Sequence, residues 1–171
     1  LYENYANFWA SDAIFASGAG CTLASAYNYR LNLTAAEMAE ELGENPKPFL
    51  DQAEHIRTAV NSILWLSKEG HPAECIDTYG NRMKHEMLSL PTIVHAAESG
   101  ILDDFQIYQM MRYTRTDLER IPVAGGSGHL VWNTGWVPYT WSVRDIDYAD
   151  VLHAGLTYFK IEQVQEGYDL L

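Results

Sequence analysis

Two acidic side chains lie three positions apart in a stretch of small and apolar residues, and a third lies near the beginning of the chain. Glu74 and Asp77 form the pair, and Asp12 lies three residues after Trp9. Hydrolysis of a glycosidic bond uses two carboxyl groups, one that donates a proton and one that activates water or attacks the sugar. We therefore predict Glu74, Asp77 and Asp12 as catalytic residues or as groups that bind sugar hydroxyls.

Structural roles stay open for the same three acids. The carboxyls of an inverting glycosidase lie roughly 6.5–9.5 Å apart to admit a water molecule, and two residues so close in sequence could be nearer than that. One of the pair would then work with a carboxylate from elsewhere in the chain. As an alternative, Glu74 and Asp77 brace their loop, and Asp12, preceded by Ser11, caps the start of a helix.

The second group of candidate residues is aromatic. The stretch from Val123 to Ser142 is rich in Gly and Trp, and Gly and Pro interrupt any helical period in it. Flat aromatic faces suit the C–H face of a pyranose ring, and indole N–H and tyrosine O–H groups can bind hydroxyls. Packing of this loop against the core is the alternative. The predicted substrate-binding residues are Trp9, Trp132, Trp136, Tyr139, Trp141 and His85.

Composition and missing motifs exclude several other functions. The formal net charge is −12, and the 11 Lys and Arg residues form no stripe, so a nucleic-acid partner is not expected. No apolar run approaches the ~20 residues of a membrane-spanning helix. The chain has no G-x-S-x-G, Walker-type or H-E-x-x-H motif, and its histidines lack metal-ligand spacing. We predict neither a metal nor a cofactor, and a carbohydrate as substrate.

The chain has two cysteines, which allow at most one disulfide. Cys21 and Cys75 both lie among small or apolar residues, a context typical of buried thiols. We predict that both are buried in the thiol form, and the redox compartment of the protein stays open.

Hydrophobic periodicity predicts helices along nearly the whole chain. Gly and Pro residues and acidic capping residues mark where these helices begin and end. Strand character is limited to a few residues around Val131. Short turns and long aromatic-rich loops alternate between the helices, so we predict an all-α fold of helical hairpins. The six predicted helices span about 33–42, 49–64, 90–99, 104–121, 147–160 and 163–171.

Three segments resemble motifs of a known superfamily. Trp9 to Phe15 resembles the W-x-R-D-x-x-F signature of glucoamylase-like and glycogen-debranching-type glycosidases, with Ser11 in place of the Arg, so only Asp12 carries over. The segment from Trp65 to His85 resembles the loop that joins an outer to an inner helix in six-hairpin glycosidases. The segment from 132 to 159 is similar to their tryptophan-rich loop and late inner helix. The order is closest to an uncharacterised bacterial branch of that superfamily.

This resemblance implies a fold, an activity and a location. The fold is an (α/α)6 toroid of alternating inner and outer helices, of which residues 1–171 would form a single partial domain, about half of the barrel. A missing segment or a second chain would supply the rest. The implied activity is that of a glycoside hydrolase with carboxylate acid/base catalysis, in the periplasm or outside the cell.

Two other functions stay open at this point. A non-catalytic carbohydrate-binding helical domain would keep the aromatic loop without needing paired carboxylates. An α-helical repeat scaffold would also alternate helices and loops, but it predicts a regular period of roughly 30–45 residues. The chain has no such period, so the scaffold ranks third.

Overall fold

The computed structural model describes residues 1–4, 19–126, 128–135 and 145–171. Within these ranges the chain forms six α-helices, one short π-helix and eight short strands. The α-helices are α1 (Thr22–Glu41), α2 (Lys47–Ala59), α3 (Leu90–Ser99), α4 (Asp104–Thr116), α5 (Tyr148–Lys160) and α6 (Val164–Tyr168), and the π-helix is Val60–Leu64. The strands are β1 (Tyr2–Asn4), β2 (Ala19–Cys21), β3 (Trp65–Leu66), β4 (His71–Pro72), β5 (Cys75–Asp77), β6 (Lys84–His85), β7 (Arg120–Pro122) and β8 (His129–Val131).

Local capping chemistry sets the ends of several helices where the sequence predicts them. Ser89 caps α3, with Pro91 in its first turn, and Gly100 ends that helix with a φ of 79°. Asp103 forms a capping box with Gln106 at the start of α4. These ends depend only on residues within one helical turn, so the sequence reveals them.

Helix α1 begins well before the first apolar residue of the predicted stripe. Its first half buries small side chains, among them Thr22, Ser25 and Ala26, beside Leu23. Small residues give a weak hydrophobic period even when they are fully buried, so the periodicity at Leu33 marks the middle of this helix and not its start.

The helix predicted to end at Leu64 changes its hydrogen-bonding pattern in its last turn. Residues from Val60 to Leu64 form a π-helix, and both of these residues are fully buried. A single π-turn of this kind is rare and re-aims the chain. Here it leads directly into β3 and β4, which pair as a small antiparallel hairpin.

A four-stranded antiparallel sheet joins the first residues of the chain to the connection between α2 and α3. Its strand order is β1-β2-β5-β6. In its register Tyr2 lies opposite Cys21, Cys21 opposite Cys75, and Cys75 opposite His85. Strands β7 and β8 form a third, two-stranded antiparallel sheet.

The prediction of an all-α chain built as part of an (α/α)6 toroid is therefore wrong, because the described residues form a mixed α/β structure with three antiparallel sheets. The strands have only two or three residues each, too few for an alternating pattern to be recognised. Most of the four-stranded sheet also depends on partners far away in the sequence, which a local pattern cannot reveal.

Helices α1 and α3 run in the same direction. The backbone N–H of Thr22, the first residue of α1, donates to the carbonyl of Glu74 at 3.0 Å. The side chain of Glu74 in turn contacts Ser89 at the start of α3. Several residues further along both helices, the rings of Tyr27 and His95 lie with their centroids 4.9 Å apart.

Helix α5 runs parallel to α3 on its other side. The N–H of Leu90 donates to the carbonyl of Asn133 at 2.6 Å, and the N–H of Asn133 donates to the carbonyl of Asp145, just before α5, at 2.7 Å. Further along, His95 and His153 make an edge-to-face contact with ring centroids 5.7 Å apart. The N-termini of α1, α3 and α5 therefore lie at the same end of the molecule.

The apolar core is centred on α3, which lies between α1 and α5. Leu90, Ile93, Val94 and Ala97 of α3 are fully buried. Helix α4 contributes Met110 and Met111, and the π-helix and α5 add further apolar side chains. This core fixes the three parallel helices and so fixes the end at which their N-termini meet.

Candidate functional site

The connections that carry the predicted site residues gather at the end where α1, α3 and α5 begin. The first residues of the chain and the connection between α2 and α3 share the four-stranded sheet. The connection between α4 and α5 reaches the same end through the hydrogen bond between Leu90 and Asn133. Residues from three separate parts of the sequence therefore surround the starts of these helices.

Glu74 lies inside this end of the molecule, beneath the first turn of α3. Its Oε2 accepts a hydrogen bond of 2.8 Å from the N–H of Ser89. Its Oε1 accepts bonds from the hydroxyls of Ser89 at 3.2 Å and of Thr92 at 2.7 Å. The side chain thus satisfies one of the N–H groups that a helix leaves without an internal partner at its start.

Burial of Glu74 opposes its ionisation. The loss of solvation raises the pKa of Glu74 by more than the hydrogen bonds from Ser89 and Thr92 lower it, and the net result is a rise from 4.5 to about 7. A buried carboxyl with three donors around it is held between the protonated and the ionised form near neutral pH. Glu74 is 7% exposed, so access to this carboxyl is limited.

Asp77 and His85 form a hydrogen-bonded pair on the outer part of the same sheet. Asp77 Oδ1 and His85 Nε2 lie 2.6 Å apart, and the two side chains are 37% and 44% exposed. Asp77 ends β5 and His85 ends the neighbouring strand β6, so the hairpin itself brings the two side chains together. Both predicted site residues are accessible from solvent.

The structure directs Glu74 and Asp77 to opposite sides of one strand. Side chains three positions apart on an extended chain point to opposite faces. Glu74 accordingly turns to the buried N-terminus of α3, whereas Asp77 turns to His85. The two carboxylates are therefore not placed around one common space, and each needs a different partner if it takes part in catalysis.

Asp150 is a third acid at this end, and no motif in the sequence points to it. It lies in the first turn of α5 and is 0% exposed. Within the described ranges of the chain, neither of its carboxyl oxygens has a hydrogen-bond partner. Burial, and to a smaller extent the negative charge of Asp147, raise the pKa of Asp150 from 3.8 to about 7.

A sequence signal for Asp150 exists, although it is easily taken for a helix cap. Asp147 caps α5 through a bond of 2.9 Å from the N–H of Ala149, as its position before the apolar stripe predicts. Asp150 comes three residues later and shares the buried face of α5 with Ala154 and Thr157. An acid at helical spacing within a buried stripe is the feature that could have identified it.

Of the remaining six predicted site residues, the structure describes one, Trp132. Trp132 follows β8, is partly buried, and donates its backbone N–H to the carbonyl of Glu119 at 3.0 Å. The five predicted site residues that lie outside the described residues are Trp9, Asp12, Trp136, Tyr139 and Trp141.

Neither a metal centre nor a membrane helix is found in the described part of the chain. No group of three or more His, Cys, Asp or Glu side chains there is arranged to hold a metal ion. Among the same residues, no helix is long and apolar enough to cross a membrane. The polar side chains that the described residues place at this end carry carboxyl, imidazole, hydroxyl and thiol groups.

Comparison with protein families and curated proteins identifies no relative of this chain. No protein-family model matches the chain, and no curated protein matches it. The resemblance to the six-hairpin glycosidases therefore rests on the three segments quoted from the sequence and stays a prediction.

Proposed function

We propose that the protein is a glycoside hydrolase whose active site lies at the end where α1, α3 and α5 begin. The observation that carries this proposal is Asp150, a buried carboxyl with a pKa raised to about 7. Neither of its oxygens has a hydrogen-bond partner among the described residues. A relationship to the six-hairpin glycosidases and a periplasmic or extracellular location are parts of the same proposal. Both rest on the sequence resemblance alone, because the mixed α/β structure differs from the toroid of that superfamily.

The physical reason is the proton that a glycosidase must deliver to the leaving oxygen. A general acid has to be protonated at the working pH, and enzymes reach this state by burying a carboxyl in a weakly polar site. A structural carboxyl in the same position would normally have hydrogen-bond donors, since buried polar groups without partners are rare in folded proteins. Asp150 therefore meets the protonation requirement of a proton donor. Its side chain is 0% exposed, so contact with a substrate would require a rearrangement at this end of the molecule.

The second carboxylate of the proposed mechanism is Asp77. It is accessible, and its bond to His85 fixes the orientation of one carboxyl oxygen. An oriented and accessible carboxylate can activate a water molecule or attack the anomeric carbon. Asp12 is the alternative for the role of second carboxylate. The resemblance places its counterpart against the sugar in the −1 subsite, next to the bond that is cleaved.

The aromatic residues complete the proposed site as a platform for the sugar. Trp132 directly precedes Asn133, whose backbone joins the start of α3 to the approach to α5. Trp9, Trp136, Tyr139 and Trp141 are assigned to the same platform on the sequence alone. Such faces would bind pyranose rings through their C–H groups.

A screen of purified protein against oligosaccharides with α- and β-linkages tests the proposal, with release of reducing ends as the measurement. Cleavage of at least one glycan is expected, with a loss of roughly 10²-fold or more in kcat for Asp150→Asn and for Asp77→Asn. Asp51→Asn is the matched control, because Asp51 is an exposed acid in a surface ion pair on α2. If Asp150→Asn and Asp77→Asn each leave turnover unchanged, neither carboxyl takes part in the mechanism.

Non-catalytic carbohydrate binding is the second candidate function, and the geometry of Glu74 favours it. The carboxylate predicted first as catalytic is buried and surrounded by three donors, which is the geometry of a structural brace. A binding domain needs no carboxyl pair, only the aromatic platform and polar edges. Saturable binding of a glycan that Trp132→Ala weakens, without cleavage of any glycan, would favour this function over hydrolysis.

A further inference from the structure

The two cysteines of the chain lie directly opposite each other on neighbouring strands. Cys21 ends β2 and Cys75 begins β5, and the two residues are partners in the antiparallel register. Both are thiols, Cys75 buried and Cys21 partly exposed. Their side chains are hydrogen-bonded to each other. Paired residues on antiparallel strands point to the same face of the sheet, so the sulfur atoms face one another.

The hydrogen bonds next to this pair define its geometry. The N–H of Thr22 donates to the carbonyl of Glu74 at 3.0 Å, one step beyond the cysteines along both strands. Hydrogen-bonded and non-hydrogen-bonded pairs alternate along an antiparallel ladder. Cys21 and Cys75 therefore form a non-hydrogen-bonded pair, for which the Cα atoms are about 4.5 Å apart. Disulfides usually join Cα atoms separated by roughly 4.4–6.8 Å.

We propose that Cys21 and Cys75 form a reversible cross-strand disulfide by exchange with a low-molecular-weight disulfide. Both strands already hold the two residues in place, so the bond requires rotation of side chains and not movement of the backbone. The sequence alone favours two separate buried thiols, because it gives no reason to pair residues on strands that it does not reveal.

The exchange proceeds in two balanced steps. The Cys21 thiolate attacks one sulfur of the small disulfide, forms a mixed disulfide and releases one small thiolate. The Cys75 thiolate then attacks the Cys21 sulfur, forms the protein disulfide and releases the second small thiolate. The two protons lost by the cysteines pass to the two released thiolates. The protein dithiol is oxidised, and the small disulfide is reduced to two thiols.

The surroundings of the two thiols favour this order of attack. The hydrogen bond with Cys21, then burial, and then the charges of Cys21, Glu74 and Asp77 all raise the pKa of the Cys75 thiol. Thiol–disulfide exchange starts from an accessible thiolate. Cys21, the more exposed of the two, is therefore the attacking residue, and Cys75 is the resolving residue.

The bond would tie β2, which leads into α1, to β5, which carries Asp77. It would close a long loop between residues 21 and 75 and so restrict the unfolded chain, which stabilises the folded state. This inference does not depend on the proposed glycosidase activity, since its readouts are covalent structure and thermal stability.

Equilibration of reduced protein with mixtures of reduced and oxidised glutathione, followed by alkylation, tests the proposal. Oxidising mixtures should yield protein that resists alkylation, with a disulfide joining the tryptic peptides 1–30 and 69–82. The melting temperature should rise by roughly 5–15 °C. Dithiothreitol should reverse both changes.

Cys21→Ser is the control, and it should abolish the temperature rise and the linked peptides. Cys75→Ser alters a buried position and could impair folding. The test therefore compares the unsubstituted protein with Cys21→Ser. Alkylation of both thiols at every glutathione ratio would overturn the proposal. A glutathione adduct that persists on Cys21, or a disulfide between two chains, would also overturn it.

Discussion

The carboxylate of Glu74 accepts a hydrogen bond of 2.8 Å from the backbone N–H of Ser89, the residue that caps α3. The start of α3, the central helix of the core, is therefore held by a side chain from earlier in the connection that leads into it. The same residue binds the start of α1, since its carbonyl accepts the N–H of Thr22. Glu74 thus holds the starts of two parallel helices together, whatever its part in chemistry.

Truncation of Glu74 should destabilise the protein. Glu74→Ala leaves the N–H of Ser89 and the hydroxyl of Thr92 without their acceptor and opens a cavity. The Ser89 hydroxyl keeps Thr92 Oγ1 as an acceptor at 3.0 Å. We expect a loss of roughly 2–4 kcal/mol in the free energy of unfolding, measured by urea denaturation. Glu74→Gln keeps the shape and one carbonyl oxygen, so its loss should be smaller. Equal losses for both variants would contradict the bracing role.

The stability of the protein should fall as the pH rises from about 4 to 8. Glu74 and Asp150 both have a pKa of about 7 in the folded state, above their ordinary values of 4.5 and 3.8. The folded state therefore holds these protons after the unfolded chain has released them. Their stabilising effect is complete below the unfolded pKa values and is lost by about pH 7, on the order of 3 kcal/mol for each group.

Asp150→Asn should flatten this pH dependence, measured as the free energy of unfolding from urea titrations at pH 5 and pH 8. The variant should lose less stability between these two pH values than the unsubstituted protein does. Asp104→Asn is the control, because Asp104 is an exposed acid in the first turn of α4. If Asp150→Asn and Asp104→Asn change the dependence alike, burial of Asp150 does not control its protonation.

The pair of Asp77 and His85 should matter little for stability. Its side chains are about two-fifths exposed, and exposed ion pairs contribute roughly 0–1 kcal/mol. A double-mutant cycle with Asp77→Asn and His85→Gln should give a coupling free energy within that range. If the proposed activity is present, either substitution should lower kcat/KM by at least roughly tenfold. A large loss of stability with unchanged kcat/KM would assign the pair a structural role.

Tyr158→Phe should weaken the attachment of α5 to α4. The Tyr158 hydroxyl donates to the carbonyl of Met111 at 2.9 Å and is hydrogen-bonded to Thr114, in a fully buried position. Loss of this group should lower the free energy of unfolding by roughly 1–2 kcal/mol. Tyr108→Phe, on the exposed side of α4, is the matched control and should have almost no effect. A similar result for both variants would show that the buried bonds add no net stability.

The candidate site was only partly predictable from the sequence. The sequence points to Asp77 and His85 individually, but their contact depends on the pairing of β5 with β6. The sequence points to Glu74 as an acid in an apolar context. That context reflects the burial of Glu74 under α3, where its hydrogen bonds hold the start of the helix. Asp150 is hard to single out from the sequence, because its first-turn position suggests an ordinary acid at a helix start.

Features that depend on neighbours within a few residues can be read from the sequence alone. The caps at Asp103 and Asp147 and the end of α3 at Gly100 follow from hydrogen bonds and backbone conformations local to one turn. The four-stranded sheet and the pKa of Asp150 depend on tertiary contacts. Strand pairing joins residues that are distant in the chain, and the pKa of a carboxyl depends on how much water the packed helices exclude from it.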